Sequence, residues 1–212
     1  MALYVLALTD TPLGAWRAGD RRLESLEHDG VHVVFERRAA SPPVADTELR
    51  EQHALVLAIA ARTRAILPAR FGSLIERRQL TAVLRRHEAD IRAALEQVRD
   101  RVQMTIRVTG SAVPPPSAPA VAGAISGRDY LERARLKSSP PLPRHAQRVL
   151  SAVQPYAVME RRERGAGRLL ATIYHLVDNR QLARYRKAVG KRVPGVLVSG
   201  PWPPFAFSPQ LW

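Results

Sequence analysis

The order of apolar and polar residues in the first third of the chain predicts two strands followed by a helix. The stretch ALYVLAL, close to the amino terminus, is apolar on both faces of a pleat, which is typical of a buried strand. A second strand is predicted over VHVVFERR, after the turn-forming pair Asp29 and Gly30. Asp46 is suited to cap a helix that continues to about Ile66, because Pro68 forces the residue before it out of helical geometry. An extended segment, LPARFGSLIE, is predicted to follow.

The clearest periodic pattern covers Glu76 to Arg99. Apolar residues recur along one helical stripe and arginines occupy the other side, with Glu88 and Glu96 placed for i,i+4 pairing. One amphipathic helix that lies on a sheet is therefore predicted. The next segment, VQMTIRVT, alternates apolar and polar residues and is predicted to be a half-buried strand.

A change of composition divides the chain near residue 110. The stretch GSAVPPPSAPAVAGAISG is rich in proline, alanine, glycine and serine, which do not supply a packed core. We therefore predict an N-terminal domain over residues 1–110, a Pro/Ala-rich linker over 111–126 and a C-terminal domain over 127–212. Each half is predicted to combine helices with several strands, so the fold class is α+β, built from two small domains.

The second half contains signals for three helices, a hairpin and a final strand. Ser126 to Asp129 is a capping box for a helix over RDYLERARLK, and RHAQRVLSAVQ is predicted to be a second helix. The segment YAVMERRERGAGRLLATIYHLV has the form of a hairpin that turns at Gly165 to Gly167. Asp178 to Gln181 is a favourable start for a third helix, and Gly190 is a favourable end. The segment VPGVLVSG is then predicted to be a buried strand that leads into the tail.

The carboxyl-terminal tail combines three prolines with aromatic residues. Pro201, Pro203 and Pro204 exclude a helix, and in a central strand they would remove hydrogen-bond donors from the ladder. They also stiffen the segment, which lowers the entropy lost when Trp202 and Phe205 dock. Two destinations are open for these rings: the chain's own C-terminal domain, which we favour, and the surface of a partner.

Basic residues far outnumber acidic ones in this chain. There are 33 lysine and arginine residues against 19 acidic ones, and the formal net charge at pH 7 is +14. The basic residues, nearly all arginine, occur in almost every segment, which predicts a solvated basic surface with weak, salt-dependent attraction to polyanions. An arginine-rich nucleic-acid-binding module is kept as the alternative function. The basic-glycine-aromatic pattern of an RNA-reading strand is missing from VQMTIRVT and from RLLATIYHLV, however.

Motifs for catalysis or cofactor binding are missing from the sequence. The chain contains no cysteine, which excludes disulfides, thiolate metal sites and thiol nucleophiles. None of the six histidines has a familiar ligand spacing, and there is no GxSxG elbow, Walker lysine loop or GxGxxG after a strand. We therefore expect no enzyme activity, no cofactor and no metal. The start MALYVLALTDTP has no basic leader and too short an apolar run for a membrane span, which predicts a cytoplasmic protein without membrane contact.

Three residues around the stretch ILPARFGSLIE need an explanation beyond a strand pattern. Arg70 lies between apolar residues, so its guanidinium must pair with a nearby carboxylate, which we favour, or contact a partner. Gly72, directly after Phe71, indicates a bulge or a close backbone approach. His53 lies on or near the apolar side of the preceding helix, where a histidine satisfied within the core is expected.

Four motifs follow one another in an order that is specific as a set. They are a helix with a histidine (His53), the stretch Leu67 to Gly72, the helix start Gly127 to Leu131, and the tail Gly200 to Phe207. This ordered set resembles the gas vesicle protein F/L family (GvpF/GvpL). The resemblance extends over nearly the whole chain, and the tail is its most specific part.

The resemblance implies an accessory protein of gas vesicles, the gas-filled protein shells of some prokaryotes. It implies two α+β domains, the first of them ferredoxin-like, and a location in the cytoplasm or on the gas vesicle. The expected partners are the small hydrophobic shell protein and other gas vesicle accessory proteins, with a chaperone-like action or a minor structural role; no specific nucleic acid is expected. The candidate partner-binding residues are Arg70, Phe71, Trp202, Pro203, Pro204 and Phe205, and the candidate structural residues are His53, Gly72 and Tyr130.

Overall fold

The computed structural model describes residues 2–110 and 142–211. Within these ranges the chain forms two antiparallel sheets and five α-helices, so the predicted α+β class is confirmed. The predicted linker over 111–126, the helix over RDYLERARLK and Tyr130 lie outside the described residues.

The first sheet is built from the first third of the chain around a central, fully buried strand. Its strand order is β2-β3-β4-β1-β5, and β6 also pairs with β1. Because β1 is covered on both faces, it needs the uninterrupted apolar run seen in the sequence. In chain order the elements are β1 (Ala2–Thr9), β2 (Trp16–Ala18), β3 (Arg21–His28), β4 (Val31–Arg38), α1 (Asp46–Ala60), β5 (Ile66–Pro68) and β6 (Leu74–Ile75).

Two helices, rather than the single predicted one, cover the inner face of this sheet. They are α2 (Arg77–Arg86) and α3 (Glu88–Val98), and the chain leaves helical geometry at His87 with φ −114° and ψ 18°. The apolar stripe continues through the break, so both helices contribute to the same core cluster. The prediction for α1 was also too long, because the helix ends at Ala60 and not near Ile66.

The second sheet has the strand order β10-β7-β9-β8. The strand β7, which the sequence analysis counted within residues 1–110, is hydrogen bonded to β9 and β10 of this sheet. The predicted hairpin and the predicted end of the third helix at Gly190 are confirmed. In chain order the elements are β7 (Arg101–Thr109), α4 (Arg144–Val153), β8 (Ala157–Arg164), β9 (Leu169–Asp178), α5 (Leu182–Val189) and β10 (Val196–Trp202).

The ferredoxin-like connectivity expected for residues 1–110 is not confirmed there. In a ferredoxin-like βαββαβ chain a helix follows the first strand, whereas β1 is followed by the strands β2, β3 and β4. The second sheet, with α4 between β7 and β8 and α5 between β9 and β10, has the βαββαβ order instead.

The described elements stack as alternating helical and sheet layers. The helix α1 packs on the outer face of the first sheet, and α2 and α3 pack on its inner face. The helices α4 and α5 cover the outer face of the second sheet. Leu176 of β9 and Phe207 of the tail lie in the same core cluster as the first sheet, so the two halves share buried apolar surface.

Candidate functional site

The tail begins as the end of an edge strand. Because β10 lies at the edge of its sheet, a proline there removes no hydrogen bond from a central strand. The Gly200–Pro201 peptide bond is cis, and Trp202 pairs with Gln103 of β7 after an irregularity in the ladder. Gly200 has φ +123°, and a Cβ at this position would lie 2.8 Å from the carbonyl oxygen of Gln103. Both its backbone angle and this close approach require glycine.

The tail docks within its own chain and contacts both halves. Phe207 is 8% exposed and belongs to the core cluster that includes the first sheet, α2, α3 and Leu176 of β9. The backbone N–H of Ala206 donates to Oε1 of Gln103 at 2.8 Å, and Arg161 of β8 donates to the carbonyl oxygen of Ala206. The tail therefore joins the two halves rather than covering the second sheet alone. Pro203 and Pro204 are also buried.

His53 on α1 contacts the aromatic residues of the tail. Its ring centroid lies 5.4 Å from that of Trp202 in an edge-on arrangement and 5.9 Å from that of Phe205 in a stacked one. The histidine is half-buried against the tail, so the expectation of a histidine enclosed in the core was wrong. Aromatic contacts of this kind add stability beyond the burial of apolar area.

An exposed apolar surface surrounds this contact. Leu49, His53 and Leu57 recur at intervals of four residues, so they share one side of α1. Leu57 is 39% exposed and Phe205 is 37% exposed, although both are large and apolar. We call these three α1 residues, together with Trp202 and Phe205, the aromatic patch. Apolar surface that stays in contact with water is a feature of interaction sites.

The Leu67 to Gly72 stretch ends in a tight turn. The carbonyl oxygen of Arg70 accepts hydrogen bonds from the backbone N–H of Ser73 at 3.3 Å and from its hydroxyl at 2.7 Å. Gly72, at the third position of the turn, has φ +85°, and a type II turn requires about +80° there. The glycine is thus needed for its backbone angle and not for the expected bulge or close approach, because a Cβ would meet only Ser41 Oγ, at 3.5 Å.

A buried polar network, which was not predicted from the sequence, holds this turn against α1. The hydroxyl of Tyr4 donates to the side-chain oxygen of Gln52, and it accepts from the backbone N–H of Gly72 at 3.2 Å. Nε2 of Gln52 donates to the carbonyl oxygen of Ala69 at 3.5 Å. Burial raises the pKa of Tyr4, which keeps its hydroxyl protonated. In the sequence, the sign of this network was Gln52, a polar residue next to His53 on the apolar side of α1.

Arg70 lies at the rim of a groove between the turn, the tail and β8. The groove has a volume of about 280 Å³, and Arg161, Glu163 and Phe205 also line it. Arg70 is exposed, and within residues 2–110 and 142–211 its guanidinium forms no ion pair, so the favoured pairing with a carboxylate was wrong. Phe71, the next residue, is half-buried in the turn. The structure therefore places Arg70 next to the tail, on the same groove as Phe205.

A second polar cluster, also missed from the sequence, fastens the edge strand β8. Nδ1 of His175, which is 0% exposed, lies 2.9 Å from the hydroxyl of Tyr185, and Nε2 lies 3.0 Å from Oε2 of Glu160. A carboxylate only accepts, so Nε2 carries the proton and Nδ1 accepts from Tyr185 in the neutral ring. Burial lowers the pKa of His175. Burial opposes ionisation of Glu160, but hydrogen bonds from Arg162 and His175 outweigh it and lower the pKa of that carboxyl.

Among the described residues, no group of three or more histidine, aspartate or glutamate side chains is placed to hold a metal ion. None of the helices in these ranges combines the length and the apolar character that crossing a bilayer requires. What the described surface does offer is the aromatic patch with the arginine-lined groove beside it.

Comparisons with known proteins concern the fold and the family of the chain. The structure of GvpF from Anabaena sp. PCC7120 is similar, with a TM-score of 0.70 and 13% sequence identity, over 99% of this chain and 98% of that one. GvpF from Microcystis aeruginosa also matches, with a TM-score of 0.70 and 11% identity, over 99% of both chains. No curated protein sequence matches the chain. The model of the family described as "Gas vesicle synthesis protein GvpL/GvpF" matches residues 2–209, and the chain therefore belongs to this family.

Proposed function

We propose that this protein assists gas vesicle formation by binding the hydrophobic shell protein through the aromatic patch. Membership of a gas vesicle synthesis family supports the cellular role, and the resemblance seen in the sequence supports the shell protein as partner. The observation on which the proposal depends is the exposure of Phe205 and Leu57 beside the rings of His53 and Trp202.

The chemistry of a shell subunit explains why such a surface would be useful. Before it assembles, a subunit of a hydrophobic shell exposes apolar surface and strand edges, which invite aggregation. A protein that covers those features for a time needs a matching apolar surface and no reaction. The proposed action is therefore chaperone-like. The alternative is that the same contact with the shell protein persists in the vesicle, where this protein would be a minor structural component.

The patch is held in place before any partner arrives. Phe207 fixes the tail in the core, and the prolines on either side of Trp202 restrict its backbone. His53 supports both tail rings from α1. A preorganised surface loses little conformational entropy on binding, so a small apolar area is enough for a useful affinity.

The proposal includes no catalytic step. The buried cluster of His175, Glu160 and Tyr185 is the most enzyme-like feature of the described residues, and its hydrogen bonds are all made within the chain. It supports the packing of β8 and α5 and is not part of the proposed binding surface.

Co-expression with the shell protein tests the proposal. We expect more soluble shell protein in the presence of the wild-type chain, and capture of shell protein on an affinity resin. Phe205→Ser and Leu57→Ser should reduce both signals. Leu197→Ser is the matched control, because Leu197 is 55% exposed but lies at the opposite end of β10 from Trp202. If the wild-type chain makes shell protein no more soluble than an empty vector does, the chaperone-like mechanism is wrong.

A further inference from the structure

We infer that the groove beside the aromatic patch binds an extended, acidic segment of a partner polypeptide, with Arg70 as the carboxylate-binding residue. This inference rests on the proposed role in partner binding, but not on which gas vesicle protein supplies the segment. It assigns a function to Arg70, whose guanidinium forms no ion pair within residues 2–110 and 142–211.

The groove has buried apolar residues at its base and charged side chains at its rim, and its exposed lining is more polar than apolar. Leu8, Leu67, Pro68 and Ala69 are buried residues that line it, and the side chains of Arg70, Arg161 and Glu163 are exposed. Its volume of about 280 Å³ is close to the lower limit of ligand pockets in proteins, so it suits a few side chains of a peptide rather than a folded domain.

The charged groups at the rim differ in how far they are already satisfied. Arg161 donates to the carbonyl oxygen of Ala206, and Glu163 accepts from the hydroxyl of Tyr174 at 2.8 Å. Burial, together with Glu163, raises the pKa of Tyr174 to about 12, so this hydroxyl remains a donor at neutral pH. The guanidinium of Arg70, in contrast, has neither an ion pair nor a hydrogen bond in the described parts of the chain. The rim thus presents two guanidinium groups against one carboxylate that is already hydrogen bonded.

These features together select the occupant. A guanidinium without a partner in the described residues is available to bind a carboxylate through two parallel hydrogen bonds, which favours aspartate or glutamate. Phe205, which also lines the groove and is 37% exposed, offers a contact for an apolar side chain beside that carboxylate. A second copy of this chain is a poor fit, because each copy has a formal net charge of +14 and the copies repel each other.

Fluorescence anisotropy with two labelled synthetic peptides tests the inference on the full-length protein. One peptide alternates leucine with glutamate, and the other alternates leucine with glutamine. We expect the glutamate peptide to bind the wild-type chain at physiological salt, and the glutamine peptide to bind at least about tenfold more weakly, since hydrogen bonds to charged groups are stronger than neutral ones.

Two arginine variants separate a specific site from the general basic charge. Arg70→Gln should weaken binding of the glutamate peptide at least about tenfold without changing the melting temperature, and Arg70→Lys should restore part of it. Arg148→Gln removes the same charge from α4, on the opposite face of the second sheet, and should change the affinity less than about twofold.

The inference is overturned if the wild-type chain does not bind the glutamate peptide, if the two peptides bind alike, or if the two glutamine variants lose affinity equally. These outcomes are independent of the proposed function. Equal binding of the two peptides together with capture of shell protein would reject the groove and leave the aromatic patch in place. Peptide selectivity without any capture of shell protein would do the reverse.

Discussion

Because Phe207 is buried and Phe205 is exposed, we predict that Phe207 contributes mainly to the stability of the protein and Phe205 mainly to binding of the shell protein. Phe207 is 8% exposed, and its ring fills a site shared by the first sheet, α3 and Leu176 of β9. In Phe207→Ala the neighbouring residues belong to two different sheets, so they cannot close the cavity easily. We expect the free energy of unfolding to fall by about 3–5 kcal/mol, the usual range when a buried phenylalanine becomes alanine.

Phe205 provides the matched comparison, two residues earlier in the same turn. It is 37% exposed, so Phe205→Ala removes a ring that is already partly in water. Full burial of such a side chain contributes about 1.5–3 kcal/mol, and the buried part of Phe205 should therefore contribute about 1–2 kcal/mol. Phe205→Ala should nevertheless weaken binding of the shell protein more than Phe207→Ala does, provided that both variants are folded.

Urea denaturation followed by circular dichroism measures both changes, and thermal melting checks them. For a chain of this size, each kcal/mol corresponds to about 2–4 °C, so Phe207→Ala should lower the melting temperature by about 6–20 °C. Phe207→Leu should retain most of the stability, because it leaves a smaller cavity. The reasoning is refuted if Phe207→Ala costs less than Phe205→Ala, since the tail would then not be docked through Phe207.

Three further predictions concern the turn, the buried histidine and the basic surface. Gly72→Ala should cost about 1–2 kcal/mol in urea denaturation, because alanine is strained at φ +85°; an unchanged midpoint would contradict the turn geometry. The protein should lose stability as the pH falls below 6.5, the ordinary pKa of histidine, because the lowered pKa of buried His175 makes the unfolded chain bind more protons. Melting curves of His175→Gln should show a smaller loss over this range, and an equal loss would exclude His175 as its cause. Filter binding to nucleic acid should collapse at moderate salt, whereas binding that survives would favour the alternative function.

Local pattern was sufficient wherever burial or turn chemistry acts within one segment. The apolar run at Ala2–Thr9 became a strand buried on both faces, and the alternation in VQMTIRVT became β7. The glycines at 165 and 167 mark the hairpin turn, and Gly190 ends α5 with φ +69°. The strands were predictable because their side chains follow the pattern of a buried or a half-buried strand. The ends were predictable because glycine adopts the backbone angles that turns and helix ends require.

Other elements depended on residues far away in the chain. The hairpin of β2 and β3 escaped prediction because its sequence is mainly polar, and Leu23 is its one fully buried residue. The break at His87 was hidden because the apolar stripe continues through it. The membership of β7 in the second sheet depends on pairing with residues sixty or more positions later in the chain, which no local period encodes.

The sequence by itself determined that the tail is neither an α-helix nor a central strand, and that the ordered motifs of the chain resemble the gas vesicle family. Only the tertiary structure decided that the tail joins both halves, stacks on His53 and shares a groove with Arg70. The physical reason is that prolines and glycines restrict the backbone wherever they occur, whereas aromatic rings pack against whichever surfaces the rest of the fold places beside them.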